Sequence, residues 1–417
     1  MTFFQPKALS ALDFLDFALD YAVFLHKVQS AIVFVEKIIV FVIVFVEKVF
    51  VFVIIPIFAP RNQQNPLMTD QPKATGRVLL IYTGGTIGMG RNRQTGALEP
   101  LDFNHLIASM PELAAIPVET VVHQFPQPID SSDMKPQLWA RIVQIIADHY
   151  EQYDGFVILH GTDTMAFTAS ALSFMLENLT KPVILTGSQL PINQLRTDGR
   201  ENLITSIEIA AARHPDGRPR VPEVCIYFSG KLLRGNRATK INSEGFNAFD
   251  TFNLPHLADA GVNITYHDEL ILHPDYSRPM RPHFAMDTGV IVFTLFPGIE
   301  EDTVRHLLAT PRLRGIVMRT YGSGNAPQQP WLMEALSEAT AQGITIINIT
   351  QCAAGPVAMA RYSGGYLLQN AGVISGYDGT VECAVAKLMH LLGHTTDTAL
   401  IRAQMSRALC GEITVGE

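Results

Sequence analysis

Cysteine is scarce in this 417-residue chain: Cys225, Cys352, Cys383 and Cys410 are scattered along it, with no Cys-x-x-Cys pair and no histidine at ligand spacing. That excludes a disulfide framework and a zinc ribbon, and it suits a reducing compartment, so a cytoplasmic location is expected. His-Glu-x-x-His is also missing, which leaves metal catalysis without support; neither a metal nor a cofactor is expected. Basic charge is short as well, with 31 Lys and Arg against 39 Asp and Glu and a net charge of -8. Since no basic cluster recurs along one face, nucleic acid is not expected as a partner. A nucleotide fingerprint cannot be completed either. Gly85 and Gly90 have P-loop spacing, but Arg91-Asn92 follows in place of Lys-Ser/Thr, and no G-x-G-x-x-G can be assembled.

What is present divides the chain in two. Residues 1–73 are of low complexity: Ile32 to Lys37 and Ile43 to Lys48 both read I-V-F-V-E-K, and Val, Ile and Phe run on up to Ala59-Pro60. Ile38 to Ala59 is long enough to anchor a membrane. Against that, Glu47 and Lys48 fall near its middle, at roughly 2.5–3.5 kcal/mol each. A signal peptide fits worse, because its parts are not in order. The third reading is that translation begins at Met68. A membrane is therefore not expected as a partner unless residues 1–67 belong to the working protein.

From Lys73 onward strands and helices alternate, the pattern of parallel sheets covered by helices. Strands are predicted over Arg77–Tyr82, Val118–Phe125, Gly155–His160, Pro182–Gly187 and Glu223–Phe228, with helices over Pro136–Tyr150 and Thr164–Leu179. Proline, His and Asp crowd residues 268–286, which read as a linker. A second alternation has strands over Gly289–Leu295, Gly315–Arg319 and Thr345–Thr350, and helices over Ile299–Ala309, Pro330–Gln342, Thr380–Leu392 and Thr396–Leu409. The expected fold is α/β in two domains, each a mainly parallel sheet flanked by helices: a larger catalytic domain over 74–267 and a smaller one over 287–417.

Polar motifs sit where strands end. Leu79-Leu80-Ile81-Tyr82 stops at Thr83-Gly84-Gly85-Thr86, where glycines let the backbone bend sharply and approach a ligand closely. Asp130-Ser131-Ser132-Asp133 precedes a helix, and His160-Gly161-Thr162-Asp163-Thr164 joins a strand to a helix. Taken singly, each is readable as turn glycines and helix caps, and Lys240 as a solvated lysine. Taken together they are a set that nucleophilic catalysis needs: a threonine hydroxyl is a weak nucleophile, and a lysine whose charge is held by a carboxylate such as Asp163 can serve it as base.

The chain from about Arg77 to its end resembles the bacterial cytoplasmic, type I L-asparaginases. Tyr82-Thr-Gly-Gly-Thr-Ile-Gly-Met89, Asp130-Ser-Ser-Asp-Met134, Asp154-Gly-Phe-Val-Ile-Leu-His-Gly-Thr-Asp-Thr-Met165 and Ser173-Phe-Met-Leu-Glu-Asn-Leu179 carry the likeness. Thr186-Gly-Ser-Gln189, Arg234-Gly-Asn-Arg237, Tyr321-Gly-Ser-Gly-Asn-Ala-Pro327 and Thr350-Gln-Cys352 add to it. The resemblance implies hydrolysis of L-asparagine to L-aspartate and ammonia through a β-aspartyl-threonine acyl-enzyme. It implies Thr86 as nucleophile and Thr162, Asp163 and Lys240 as the set that manages protons. Asp130, Ser131 and Ser132, with Gly85 and Gly161, are implied as substrate-binding residues, Asp163 contributing to the same grip. It further implies a homodimer or homotetramer, and a regulatory asparagine site at Thr239, Arg319, Asn325 and Cys352.

Two departures from the pattern stand out. The family lacks the first 73 residues. Ala97 occupies the place in the loop Gln94–Pro100 where many relatives carry a tyrosine beside the nucleophile. Two other functions remain to be weighed: an asparaginase-like amidotransferase subunit that releases ammonia from glutamine, and a non-catalytic asparagine sensor.

Overall fold

The computed structural model describes residues 41–46, 49–54, 76–91, 98–100 and 110–415. Contacts divide the chain into two units, 1–69 and 70–417. In the first, β1 (Phe41–Val46) and β2 (Val49–Ile54) pair antiparallel, with Phe41 opposite Ile54 and Val46 opposite Val49. The segment Ile38–Ala59, weighed above as a membrane anchor, is thus a hairpin in its described part. β-Branched and aromatic residues favour the pleated backbone over the helix. No helix among the described residues is long and apolar enough to cross a membrane.

The second unit is built on two sheets. The larger contains β3 (Arg77–Gly84), β6 (Glu119–Ile129), β7 (Gly155–Leu159), β9 (Val183–Thr186), β10 (Val224–Phe228), β11 (Lys231–Arg234), β14 (Ala258–Ala260) and β15 (Ile264–Tyr266). Their order is β15-β14-β11-β10-β9-β7-β3-β6. The five from β6 to β10 are parallel; β11, β14 and β15 extend the edge antiparallel. Every residue of β7 and β10 is buried, as strands covered on both faces must be. Alternation along β3 divides the core: Leu79 and Ile81 pack with the helices Pro136–His149 and Met165–Met175, whereas Val78, Leu80 and Tyr82 pack with the helix Gly199–Ala211.

The smaller sheet holds β17 (Val290–Thr294), β18 (Gly315–Thr320), β19 (Thr345–Thr350) and β20 (Ile374–Ser375), all parallel and in that order. The helices Glu301–Leu308, Pro330–Ala341 and Ser363–Asn370 lie on one side, Val381–His394 and Thr398–Met405 on the other. Cys383 and Ala386 of Val381–His394 also enter the larger sheet's core, so this helix is shared between the two layers.

One expectation needs correction. The helix predicted over Thr164–Leu179 ends at Met175, because Leu176–Glu177 (β8) turns extended and Asn178 takes φ 55°. Within residues 268–286, Arg281–Pro282 (β16) pairs antiparallel with β8, and Asn178 donates through Nδ2 to the carbonyls of Asp275 and Arg278. An asparagine tolerates the left-handed region and can tie down a nearby loop.

Candidate active site

β6, β3 and β7 are neighbours, so their carboxyl ends deliver three loops to one place. β3 ends in Gly84 (φ 138°) and Gly85 (φ 88°), conformations that favour glycine. Space demands glycine as well. A Cβ on Gly84 would stand 2.2 Å from the Ile129 carbonyl oxygen, and one on Gly85 would stand 2.5 Å from the Gly161 nitrogen. Across the same gap, a Cβ on Gly161 would lie 2.5 Å from Ser131 Oγ. The three loops therefore touch through Gly85, Gly161 and Ser131. Thr86 and Thr162 are each one residue beyond that contact.

Hydrogen bonds fasten the stack. Thr83 Oγ1 donates to the Leu159 carbonyl at 2.9 Å, and Thr164 Oγ1 to the Ser131 carbonyl at 2.7 Å. Asp130 caps the short turn Ser131–Asp133, accepting from Ser132 N and from Ser132 Oγ, each at 2.9 Å. Those two bonds, the backbone one first, hold its carboxyl below the usual range. Thr86, half-buried, opens the 3-10 turn Thr86–Gly88. From the far side comes Thr239–Lys240 (β12), paired with Phe249–Asp250 (β13). Lys240 Nζ donates to Thr162 Oγ1 at 2.9 Å and to Asp163 Oδ1 at 2.6 Å. Chemically this is a hydroxyl–ammonium–carboxylate cluster open to solvent on its Asp163 side, beside a glycine turn that displays a second hydroxyl.

Thr239 faces away, donating through Oγ1 to Glu382 Oε1 at 2.6 Å. Burial raises the Glu382 carboxyl, and among the described residues its Oε2 has no hydrogen-bond partner. A cavity of about 350 Å³ opens here, lined by Thr239, Lys240, Arg319, Thr350, Cys352 and Glu382 among others. Three of the four residues expected at a regulatory site thus share one cavity. Asn325 does not line it: it sits in a turn bridged to Tyr321, with its Oδ1 against Gly364, where a Cβ would stand only 2.1 Å away. Glu382 was not expected, because a carboxylate in a helix's first turn reads as a dipole partner. Ala97 lies outside the described residues; around it, Met89–Arg91 (β4) pairs antiparallel with Leu98–Pro100 (β5). Among the described residues no cluster of three His, Cys, Asp or Glu side chains could hold a metal ion.

Fold and site together place the chain among the α/β amidohydrolases. Residues 77–272 match the family profile "Asparaginase, N-terminal", and residues 289–405 match "Glutaminase/Asparaginase C-terminal domain". The chain belongs to the asparaginase/glutaminase family. L-asparaginase 1 of Escherichia coli strain K12 is 44% identical over 347 residues, covering 81% of this chain and 98% of that protein. The human 60 kDa lysophospholipase is 43% identical over 363 residues, which are 81% of this chain and 61% of that protein. Among solved structures, L-asparaginase I from Vibrio cholerae superposes with a TM-score of 0.73 at 40% identity, covering 81% of this chain and 99% of that one.

Proposed function

We infer that the protein is an asparaginase, hydrolysing L-asparagine to L-aspartate and ammonia. The observation that carries this reading is Lys240 bridging Thr162 and Asp163 at the sheet edge where the Thr86 turn packs. In it, Thr86 Oγ1 attacks the side-chain amide carbon, its proton passes through the Thr162–Lys240–Asp163 cluster to the leaving nitrogen, and ammonia departs from a β-aspartyl ester. Water then cleaves the ester and restores the hydroxyl. Asp130 and Asp163 supply negative charge for the substrate's α-ammonium. Ser131 supplies a donor for its carboxylate, Ser132 holds Asp130 in place through its N–H and hydroxyl, and the close glycines Gly85 and Gly161 let the three loops converge on it. Backbone N–H groups beside Thr162 suit the developing oxyanion.

Several parts of the reading reach further. We place the domain division at 74–267 and 287–417 with 268–286 between them. The protein is a homodimer or homotetramer, and it is cytoplasmic, a location supported by four free thiols. The cavity at Thr239, Arg319 and Cys352 takes a regulatory asparagine. Trapping with hydroxylamine tests the nucleophile: wild type is expected to yield aspartyl hydroxamate from asparagine and Thr86→Ala none. Hydroxamate from Thr86→Ala but not from Thr162→Ala would reverse the assignment. Parallel arms with glutamine, glutamine plus charged tRNA, and a lysophospholipid separate this function from a tRNA amidotransferase and from the activity named for the human relative. Binding of asparagine without ammonia release would instead indicate a sensor.

A further inference from the structure

A line of buried groups leads from the larger sheet's core to the loop that carries Thr162. Trp139 Nε1 donates to Thr168 Oγ1 at 3.0 Å, and that hydroxyl lies 2.9 Å from His160 Nε2. His160 Nδ1 lies 2.7 Å from the carbonyl oxygen of Gly161. Trp139 is 5% exposed, Thr168 0% and His160 1%. The proton positions follow from the two ends. A carbonyl oxygen only accepts, so Nδ1 carries hydrogen. Burial pushes the His160 imidazole down to about 4, which leaves it neutral near pH 7 with a bare Nε2. The Thr168 hydroxyl accepts from Trp139 and therefore donates to Nε2. All the bonds run one way, toward Gly161, an arrangement in which each strengthens the next.

Gly161 needs such a hold. Its neighbour Ser131 leaves no room for a Cβ, so the position must be glycine, and glycine is the residue whose peptide plane is least restrained. The same backbone is crowded elsewhere, since a Cβ on Gly187 would meet the His160 carbonyl oxygen at 2.4 Å. We propose that Trp139, Thr168 and His160 are positioning residues: they fix the plane of the Gly161–Thr162 peptide, and with it where the Thr162 hydroxyl and N–H point. A hydrogen bond accepted by the Gly161 carbonyl also polarises the N–H of that peptide, which belongs to Thr162, as an oxyanion donor requires. The proposal rests on the asparaginase reading; the existence of the relay does not.

Its test has two arms on the full-length protein. In long-range 1H–15N spectra at pH 7, with the His160 signals assigned by their loss in His160→Asn, the Nδ1–H tautomer is expected. An Nε2–H tautomer or an imidazolium overturns the relay. In the kinetic arm, Trp139→Phe and Thr168→Val remove donors with little change of shape. Each is expected to lower kcat on asparagine three- to tenfold while KM stays within twofold. His160→Leu is expected to lose more, and His160→Asn, whose amide nitrogen stands near the place of Nδ1, to recover most of that loss at the same Tm. Unchanged kcat in all variants, or His160→Asn no better than His160→Leu, overturns the positioning role. Wild type that releases no ammonia from asparagine refutes the functional reading instead, and the tautomer still decides whether the relay exists.

Discussion

Two lysines in this chain each stand 2.6 Å from a carboxylate, and their surroundings differ in nearly every other respect. Lys240 and Asp163 have side chains 18% and 64% exposed; Lys387 and Glu412 are 2% and 0% exposed. Lys387 spends its remaining donors on the carbonyls of Met405 and Arg407, and Glu412 accepts from the N–H groups of Leu409 and Cys410. That pair is closed and dry, and it pins the C-terminal segment against the helix Val381–His394. Lys240 instead divides its contacts between a carboxylate and a threonine hydroxyl at a wet edge. Distance alone therefore does not distinguish a buried structural ion pair from one proposed to act in catalysis. Solvent access and the chemistry of the third partner do.

The largest effect should come from breaking the wet pair. Lys240→Met is expected to lower kcat by about 10²- to 10⁴-fold, the range that positioned acid–base groups supply, while moving Tm by no more than about 2 °C. A loss of less than tenfold would remove Lys240 from the chemistry. Breaking the dry pair should do the reverse. Lys387→Met leaves Glu412 buried and uncompensated, so urea unfolding should show a loss of about 3–5 kcal/mol, with kcat per folded molecule nearly unchanged. Adding Glu412→Leu should return part of it, because the buried charge goes too.

His160 sharpens the comparison, being a buried titratable group that stays neutral where Lys387 is paired. Its folded value lies near 4 against an ordinary 6.5, so the unfolded chain binds the extra proton between those limits. Its contribution is full above about pH 6.5 and is lost as pH falls toward 4, on the order of 3 kcal/mol. In the variant His160→Asn that part of the acid sensitivity, followed by urea unfolding from pH 7 to 4, should vanish; an unaltered slope would place the sensitivity elsewhere. The smallest effect belongs to a pair of intermediate exposure. Lys231 and Asp250, 2.9 Å apart and 32% and 24% exposed, should lose no more than about 1 kcal/mol in Lys231→Met, less at high salt.

Much of this was readable from the chain. Apolar runs such as Leu79–Tyr82 and Phe156–Leu159 could only be buried parallel strands, and Thr-Gly-Gly-Thr and His-Gly-Thr-Asp-Thr announced loops at their ends. Edges of elements were less legible. Leu176–Glu177 continues a helical pattern and becomes a strand because Arg281–Pro282, more than a hundred positions later, offers it backbone partners. β14 and β15 are three residues each, too short for any period to register. Ile38–Ala59 satisfied a length rule for membrane spans, although its Val- and Phe-rich composition favours strands, as its described part, 41–46 paired with 49–54, adopts.

The sequence by itself determined that glycines and hydroxyls would be displayed where β3 and β7 end, since those depend on local turn chemistry and an apolar period. Only the tertiary structure decided which of them meet. That Gly85 fits against Gly161 and Ser131, that Lys240 reaches Thr162 while its neighbour Thr239 turns to Glu382, and that Trp139 is linked through Thr168 to His160 all follow from strand order and helix packing. Contacts between residues so far apart along the chain arise only when the larger core has closed, because nothing local holds them together.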